Sequence, residues 1–181
     1  MRGLRDRTKR RAVYEYLESK RMFICFLQEV HLRDRGDVIR YSREWVRGGS
    51  VWSVGGVHSS GVGVLFGSKE VRVEEEFVVV QGRVVGADIE YRGFKLRVLV
   101  VYCPQGVVER GEMFEAMVPN LVTNRRIIVG GDFNCELGGG GDTSVRKLEA
   151  MMKMFKLVDG GRAVAPQLDG PTWRNSRGVS R

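Results

Sequence analysis

Apolar and polar residues alternate along this chain with two different periods. Residues 8–20, TKRRAVYEYLESK, set Val13, Tyr16 and Leu17 at helical spacing with Arg and Lys on the other face, which predicts an amphipathic helix. MFICFLQE at 22–29 is a nearly unbroken apolar run that predicts a buried strand, and a second helix is predicted over 38–46. Strand-like runs follow in VWSVG, GVGVLFG, VRVEEEFVVV, RVVGADIEY and FKLRVLVVY, the last two joined at Arg92-Gly93 in a tight hairpin. A helix over 109–122 is ended or broken by Pro119. The strand RIIVGG, a glycine-rich loop at 138–141 and the helix SVRKLEAMMKMF, capped by Ser144, come next. Helices alternate with strands only at the two ends, and the middle is a run of hairpins. The pattern therefore predicts an α/β (α+β) sandwich, two sheets face to face with helices outside, rather than a doubly wound parallel sheet.

Length and composition narrow this further. The 181 residues form one predicted domain, large enough to bury roughly 70% of the surface of its unfolded chain. Three cysteines, an odd number without CxxC spacing, argue for a reducing intracellular setting. No apolar run approaches the ~18 residues that a membrane span requires. The net charge is +8, and the 30 basic residues are 23 Arg and 7 Lys. Arg binds phosphate bidentately, so this bias suits a polyanionic partner such as nucleic acid, against the blander reading of codon usage and solubility.

Three apolar strands end in polar tips, namely Gln28-Glu29, Tyr102-Cys103-Pro104 and Asp132-Phe133-Asn134. In one sandwich these tips could converge on one rim. A carboxylate such as Glu29 is a hard oxygen ligand of the kind Mg²⁺ takes, usually with water and substrate phosphate completing its shell. Asp132 could accept a proton from water, Asn134 could donate an amide N–H to phosphate, and Tyr102 could donate its hydroxyl to developing charge. Together they suit phosphodiester hydrolysis; singly, each is an ordinary strand-end or turn residue. A zinc site from Cys103, Cys135 and His31 lacks the paired close spacings such sites show, and Cys25 reads as a core residue.

LQEVHL, SSGVGVLF, VVYCPQ, GGDFNC and PTWRNSRGVSR, in this order and spacing, resemble the endonuclease domain of non-LTR (LINE-type) retrotransposons, within the endonuclease/exonuclease/phosphatase superfamily. The resemblance implies a four-layer α/β/β/α sandwich of two mixed sheets. It also implies Mg²⁺-dependent nicking of DNA that leaves a 3′ hydroxyl to prime reverse transcription. By position Glu29 becomes the metal-binding glutamate, Tyr102 the tyrosine on the scissile phosphate, Asp132 the residue that orients or deprotonates water, and Asn134 a phosphate donor. Thr172 and Arg174 fall on the DNA-facing rim. The resemblance further implies an Asn one residue before Met1, on a first strand, and a Ser-Asp-His beyond Arg181. On this expectation the sandwich is incomplete at both termini and the chain a partial, inactive copy from an element that fuses the domain to a reverse transcriptase and works in the nucleus. His31 and His58 read as surface or structural residues. The alternatives are a non-catalytic DNA-binding remnant, or a phosphatase or lipid phosphodiesterase on the same fold, which TWRNS disfavours.

Overall fold

The computed structural model describes residues 3–56, 61–138 and 142–164, which fall into two compact units. The first unit comprises residues up to Tyr102 together with Val122–Asp132. It contains helices α1 (Arg7–Ser19) and α2 (Arg35–Glu44) and strands β1 (Ile24–Gln28), β2 (Ser50–Ser53), β3 (Val62–Phe66), β4 (Arg72–Val80), β5 (Val84–Tyr91), β6 (Phe94–Tyr102) and β7 (Arg126–Asp132). One sheet is antiparallel, in the order β1-β3-β2; the other, β4-β5-β6-β7, is mixed, because β7 joins β6 in parallel. Of the two sheets expected to be mixed, one is so among the described residues.

Period-two alternation assigns each strand residue to a layer. Cys25 and Leu27 of β1, Trp52 of β2 and Leu65 of β3 meet Tyr14 of α1 and Tyr41 of α2 in one core cluster. The intervening residues Val62, Val64 and Phe66 face Val85, Ala87 and Ile89 of β5 and Val98 and Val100 of β6 in a second cluster between the sheets. Helices, antiparallel sheet and mixed sheet thus form three successive layers of this unit. Gly63 is required where β3 passes β2, since a Cβ there would lie 2.2 Å from the Trp52 ring. The hairpin at Arg92-Gly93 is present as expected, with both residues at positive φ (+49° and +82°) between paired Tyr91 and Phe94, the geometry of a tight primed turn.

The second unit holds α3 (Val107–Leu121), α4 (Thr143–Phe155) and the short α5 (Gly160–Val164). Met113, Phe114, Met117 and Leu121 of α3 and Val145, Leu148 and Met151 of α4 are buried. Arg110, 3% exposed, donates to Ser144 Oγ at 2.8 Å, to the Asp142 carboxylate and to the carbonyl of Gln105, tying the two helix beginnings together. No helix of the described residues is long and apolar enough to cross a membrane.

Four expectations need correction. Tyr16 is 59% exposed, and Tyr14 takes its place in the core. The buried face of α1 also contains Arg10, 1% exposed, whose guanidinium pairs with Glu44 at 2.6 and 2.7 Å, donates to the carbonyl of Leu4 and lies 4.3 Å from the centroid of the Tyr41 ring. A partnered arginine thus sits where a pattern rule places only apolar residues. Pro119 lies inside α3 without ending it; so near the C-terminus its missing N–H removes a bond from a turn about to finish. Finally, α4 is capped by Asp142, whose carboxylate accepts from Ser144 N (2.9 Å) and Val145 N (3.1 Å). Ser144 is the second residue of the helix, with its hydroxyl on Asp142. A carboxylate adds favourable charge at a helix N-terminus, which a serine cannot.

Candidate active site

Strand register brings one end of the two sheets together. In the antiparallel sheet Gln28 and Ser53 both pair with Val62. In the mixed sheet Val84 pairs with Val101, and Tyr102 with Asp132. The two sheet ends are bonded to each other: Gly82 N donates to Ser53 Oγ at 2.8 Å, Gln81 Nε2 to Val54 O at 2.6 Å, and Tyr102 Oη to Glu29 Oε1 at 2.5 Å. Glu29, Tyr102 and Asp132 therefore share one rim of the first unit, as the strand tips suggested.

Each of these side chains owes its place to local backbone. Glu29 follows the last residue of β1 at φ +53°, an uncommon conformation for a residue with a Cβ, and one found where surroundings over-determine it. Here Val30 N bonds to Gly61 O at 3.2 Å and Leu4 N to Val30 O at 3.0 Å, fixing the chain just beyond. Gly130 and Gly131 lead β7 to Asp132. A Cβ on Gly130 would stand 2.3 Å from the Phe26 ring, and one on Gly131, at φ +140°, would stand 2.0 Å from the carbonyl oxygen of Val101. Close approach to Phe26 of the facing sheet at Gly130 and to the neighbouring strand β6 at Gly131, not a turn alone, requires these glycines. Gly131→Ala is accordingly expected to destabilise the fold by about 1–3 kcal/mol. A thermal melt checks it; an unchanged midpoint would show that the strand relaxes without cost.

Tyr102 is half-buried, and burial is the main influence that pushes its phenol up to about 12; the hydrogen bond to Glu29 and the glutamate's charge act in the same direction, and Arg83 opposes them. The hydroxyl is thus protonated at neutral pH and acts as a donor. Glu29 Oε1 accepts that donor. Asp132 is exposed.

The other sequence-predicted residues fall elsewhere. Asn134 belongs to the second unit, where it has φ +48° and donates from Nδ2 to the carbonyl of Cys103 at 2.6 Å. Thr172, Arg174 and His58 lie outside the described residues. His31 is half-buried, and its carbonyl accepts from Arg5 Nε at 2.9 Å, a structural part of the kind expected. Sequence reasoning missed Arg83, which reaches the Tyr102 carbonyl at 3.2 Å from the turn before β5. The only signal for it was a lone Arg after Gln81-Gly82, between two apolar strands.

A profile of the Endonuclease/Exonuclease/phosphatase family matches residues 1–180. The chain belongs to this family. No curated protein sequence matches it. Among solved structures it is similar to an AP endonuclease from Archaeoglobus fulgidus, with a TM-score of 0.65 and 19% identity over 97% of this chain and 77% of that one. It is also similar to a D. rerio TDP2 humanized by 14 mutations, with a TM-score of 0.63 and 15% identity over 92% and 68% of the two chains. The endonuclease domain of TRAS1, a telomere-specific non-LTR retrotransposon, gives a TM-score of 0.60 and 13% identity over 83% and 68%. Identities this low show the fold, and they agree with the two-sheet sandwich.

Enzymes of the endonuclease/exonuclease/phosphatase family are generally dependent on a divalent metal. Among the described residues no group of three or more His, Cys, Asp or Glu side chains is placed to hold an ion. Mg²⁺ does not need such a cage, since one or two carboxylates with water and substrate phosphate suffice. Glu29 fits that demand: among the described residues its carboxylate accepts one hydrogen bond, from Tyr102.

Proposed function

We propose that this chain is the phosphodiester-cleaving part of a Mg²⁺-dependent DNA endonuclease of the non-LTR retrotransposon kind. The observation that supports this best is the Tyr102–Glu29 hydrogen bond joining the two sheet ends, with Asp132 in register beside Tyr102. Glu29 would hold the metal, which when bound would neutralise phosphate charge. Asp132 orients an attacking water and takes its proton. Tyr102, kept protonated, donates to a phosphate oxygen as charge builds there, and a phosphate contact by Asn134 rests on the resemblance alone. Two of the similar solved structures are endonucleases, and another, D. rerio TDP2, is seen with a single-strand DNA product. The TRAS1 domain and the motifs SGVGVLF and TWRNS favour the retrotransposon branch, with an intracellular, nuclear setting and fusion to a reverse transcriptase. Thr172 and Arg174 would meet the DNA backbone.

The test is nicking of supercoiled plasmid in Mg²⁺ by residues 1–181 joined to the first-strand and Ser-Asp-His segments of a complete relative. Nicking that Glu29→Ala removes is expected. Hydrolysis of phosphomonoesters or phosphoinositides by the joined protein, without nicking, would favour the phosphatase or lipid phosphodiesterase reading instead.

A further inference from the structure

We propose that Arg83 is a positioning residue for Tyr102, holding its phenol on Glu29 from the turn between β4 and β5; the inference rests on the phosphodiesterase reading above. Tyr102 is the last residue of β6, where the sheet ladder no longer constrains a side chain on both sides. Arg83 makes up the difference at three points. Its carbonyl accepts from Tyr102 N at 2.8 Å, its Nη1 donates to Tyr102 O at 3.2 Å, and its guanidinium carbon lies 5.4 Å from the centroid of the tyrosine ring. Both backbone polar groups of Tyr102 thus bond to one residue, whose cation also lies over the ring.

The turn that carries Arg83 is itself anchored. Arg83 N bonds to Val80 O at 3.0 Å, and the two preceding residues bond to Ser53 and Val54 at the end of β2. Ser53 is 2% exposed, so that anchor is shielded from water. Position therefore passes from the antiparallel sheet, through the turn, to the tyrosine of the mixed sheet, whose hydroxyl returns to Glu29 beside the antiparallel sheet. A planar guanidinium can donate to a carbonyl while stacking on a ring; an ammonium offers the charge without the fork.

Positioning and mere proximity of charge differ in how firmly they hold the tyrosine ring. A held ring at position 102 keeps a fluorine resonance displaced from that of the free amino acid, and a freed ring loses that displacement to averaging in water. The 181-residue chain carrying 3-fluorotyrosine at position 102, in mildly acidic buffer, allows this to be followed by fluorine NMR. Arg83→Ala is expected to move the resonance toward that of the free amino acid; an unchanged resonance overturns the proposal. If Arg83→Ala does not fold, Arg83→Lys decides alone: charge kept and fork lost should still move the resonance, and an unchanged one overturns. In the joined, nicking protein Arg83→Ala and Tyr102→Phe should each slow nicking roughly 10²-fold, and the double variant no further, whereas multiplied losses overturn. A resonance that moves as expected in a protein whose joined form does not nick sinks the nuclease reading and leaves the contact standing.

Discussion

Asp132→Asn is expected to slow plasmid nicking by the joined protein about 10²- to 10⁴-fold, the range associated with removing a general base, while leaving the unfolding temperature where it was. The two halves of this expectation come from different observations. Asp132 is exposed at the tip of β7, so an isosteric amide disturbs no core packing. Its register opposite Tyr102 sets it on the rim that carries the Tyr102–Glu29 hydrogen bond. An amide cannot take a proton from water, and the neighbouring donors cannot substitute for it, since Tyr102 is protonated at neutral pH. Single-turnover kinetics on supercoiled plasmid, with a thermal melt beside them, measure both halves. A rate within tenfold of the unsubstituted protein would remove Asp132 from the chemistry, and a lowered melting temperature would give it a structural duty instead.

The largest effect on stability is expected at Asp88, which catalysis does not use. This carboxylate is 4% exposed on β5, opposite Arg97 of β6. Both its oxygens accept from Arg97 at 2.7 Å, and Arg125 Nε approaches Oδ2 to 3.0 Å. Arg125 also pairs with Glu74, so the network crosses three strands and the approach to β7. Asp88→Asn leaves two half-buried guanidinium groups facing a neutral amide, and breaking a buried pair from one side costs about 3–5 kcal/mol. The hydrogen bond from Arg97 holds the Asp88 carboxyl below its ordinary value, burial opposing and the charges of Arg97 and Arg125 assisting. A carboxyl depressed in the folded state binds its proton more readily when unfolded, so stability rises with pH across that interval. The contribution is complete above the ordinary carboxylate value of about 3.9 and disappears as pH falls through the lower folded value. Denaturant unfolding of both proteins at neutral pH and in acid should show a gap that narrows as the acid limb is entered. Equal stability at neutral pH would mean that desolvating three charges cancels their attraction.

Where sequence legibility stopped is physically intelligible. The alternation of Cys25 and Leu27 with Ile24 and Phe26, and of Val62, Val64 and Phe66 with Gly63 and Leu65, specifies which residues face which layer, because a strand has only two faces. The hairpin at Arg92-Gly93 was legible for a local reason too, the need for positive φ. Patterns could not reveal that Arg10 would be buried, since its partner Glu44 is 34 positions away. They also misplaced Tyr16, whose spacing serves a face one step round from the one that α1 buries. Asp142 rather than Ser144 caps α4, and Arg110, which bonds to both, comes from 32 positions away, again a contact between distant positions. Glu29, Tyr102 and Asp132 were marked by their place after apolar runs, but their convergence depends on strand register, which a list of strands does not contain. Arg83 had no pattern to announce it, because its significance lies wholly in what it touches.

The first unit's two sheet ends differ in a way that matters to anyone wishing to label or immobilise this protein. At one end the β4–β5 turn is fastened across the sandwich to Ser53 and Val54. At the other, β5 and β6 close through Arg92-Gly93, and the space where a Cβ on Gly93 would stand contains nothing within 4 Å. The molecule therefore comes with a handle. A fluorophore, an affinity peptide or a surface tether grafted at that hairpin would sit a full strand length from Tyr102, about 25–30 Å for nine residues at the usual rise. Such a graft would leave the rim facing outward, ready to meet a DNA molecule stretched over the surface to which the protein is attached.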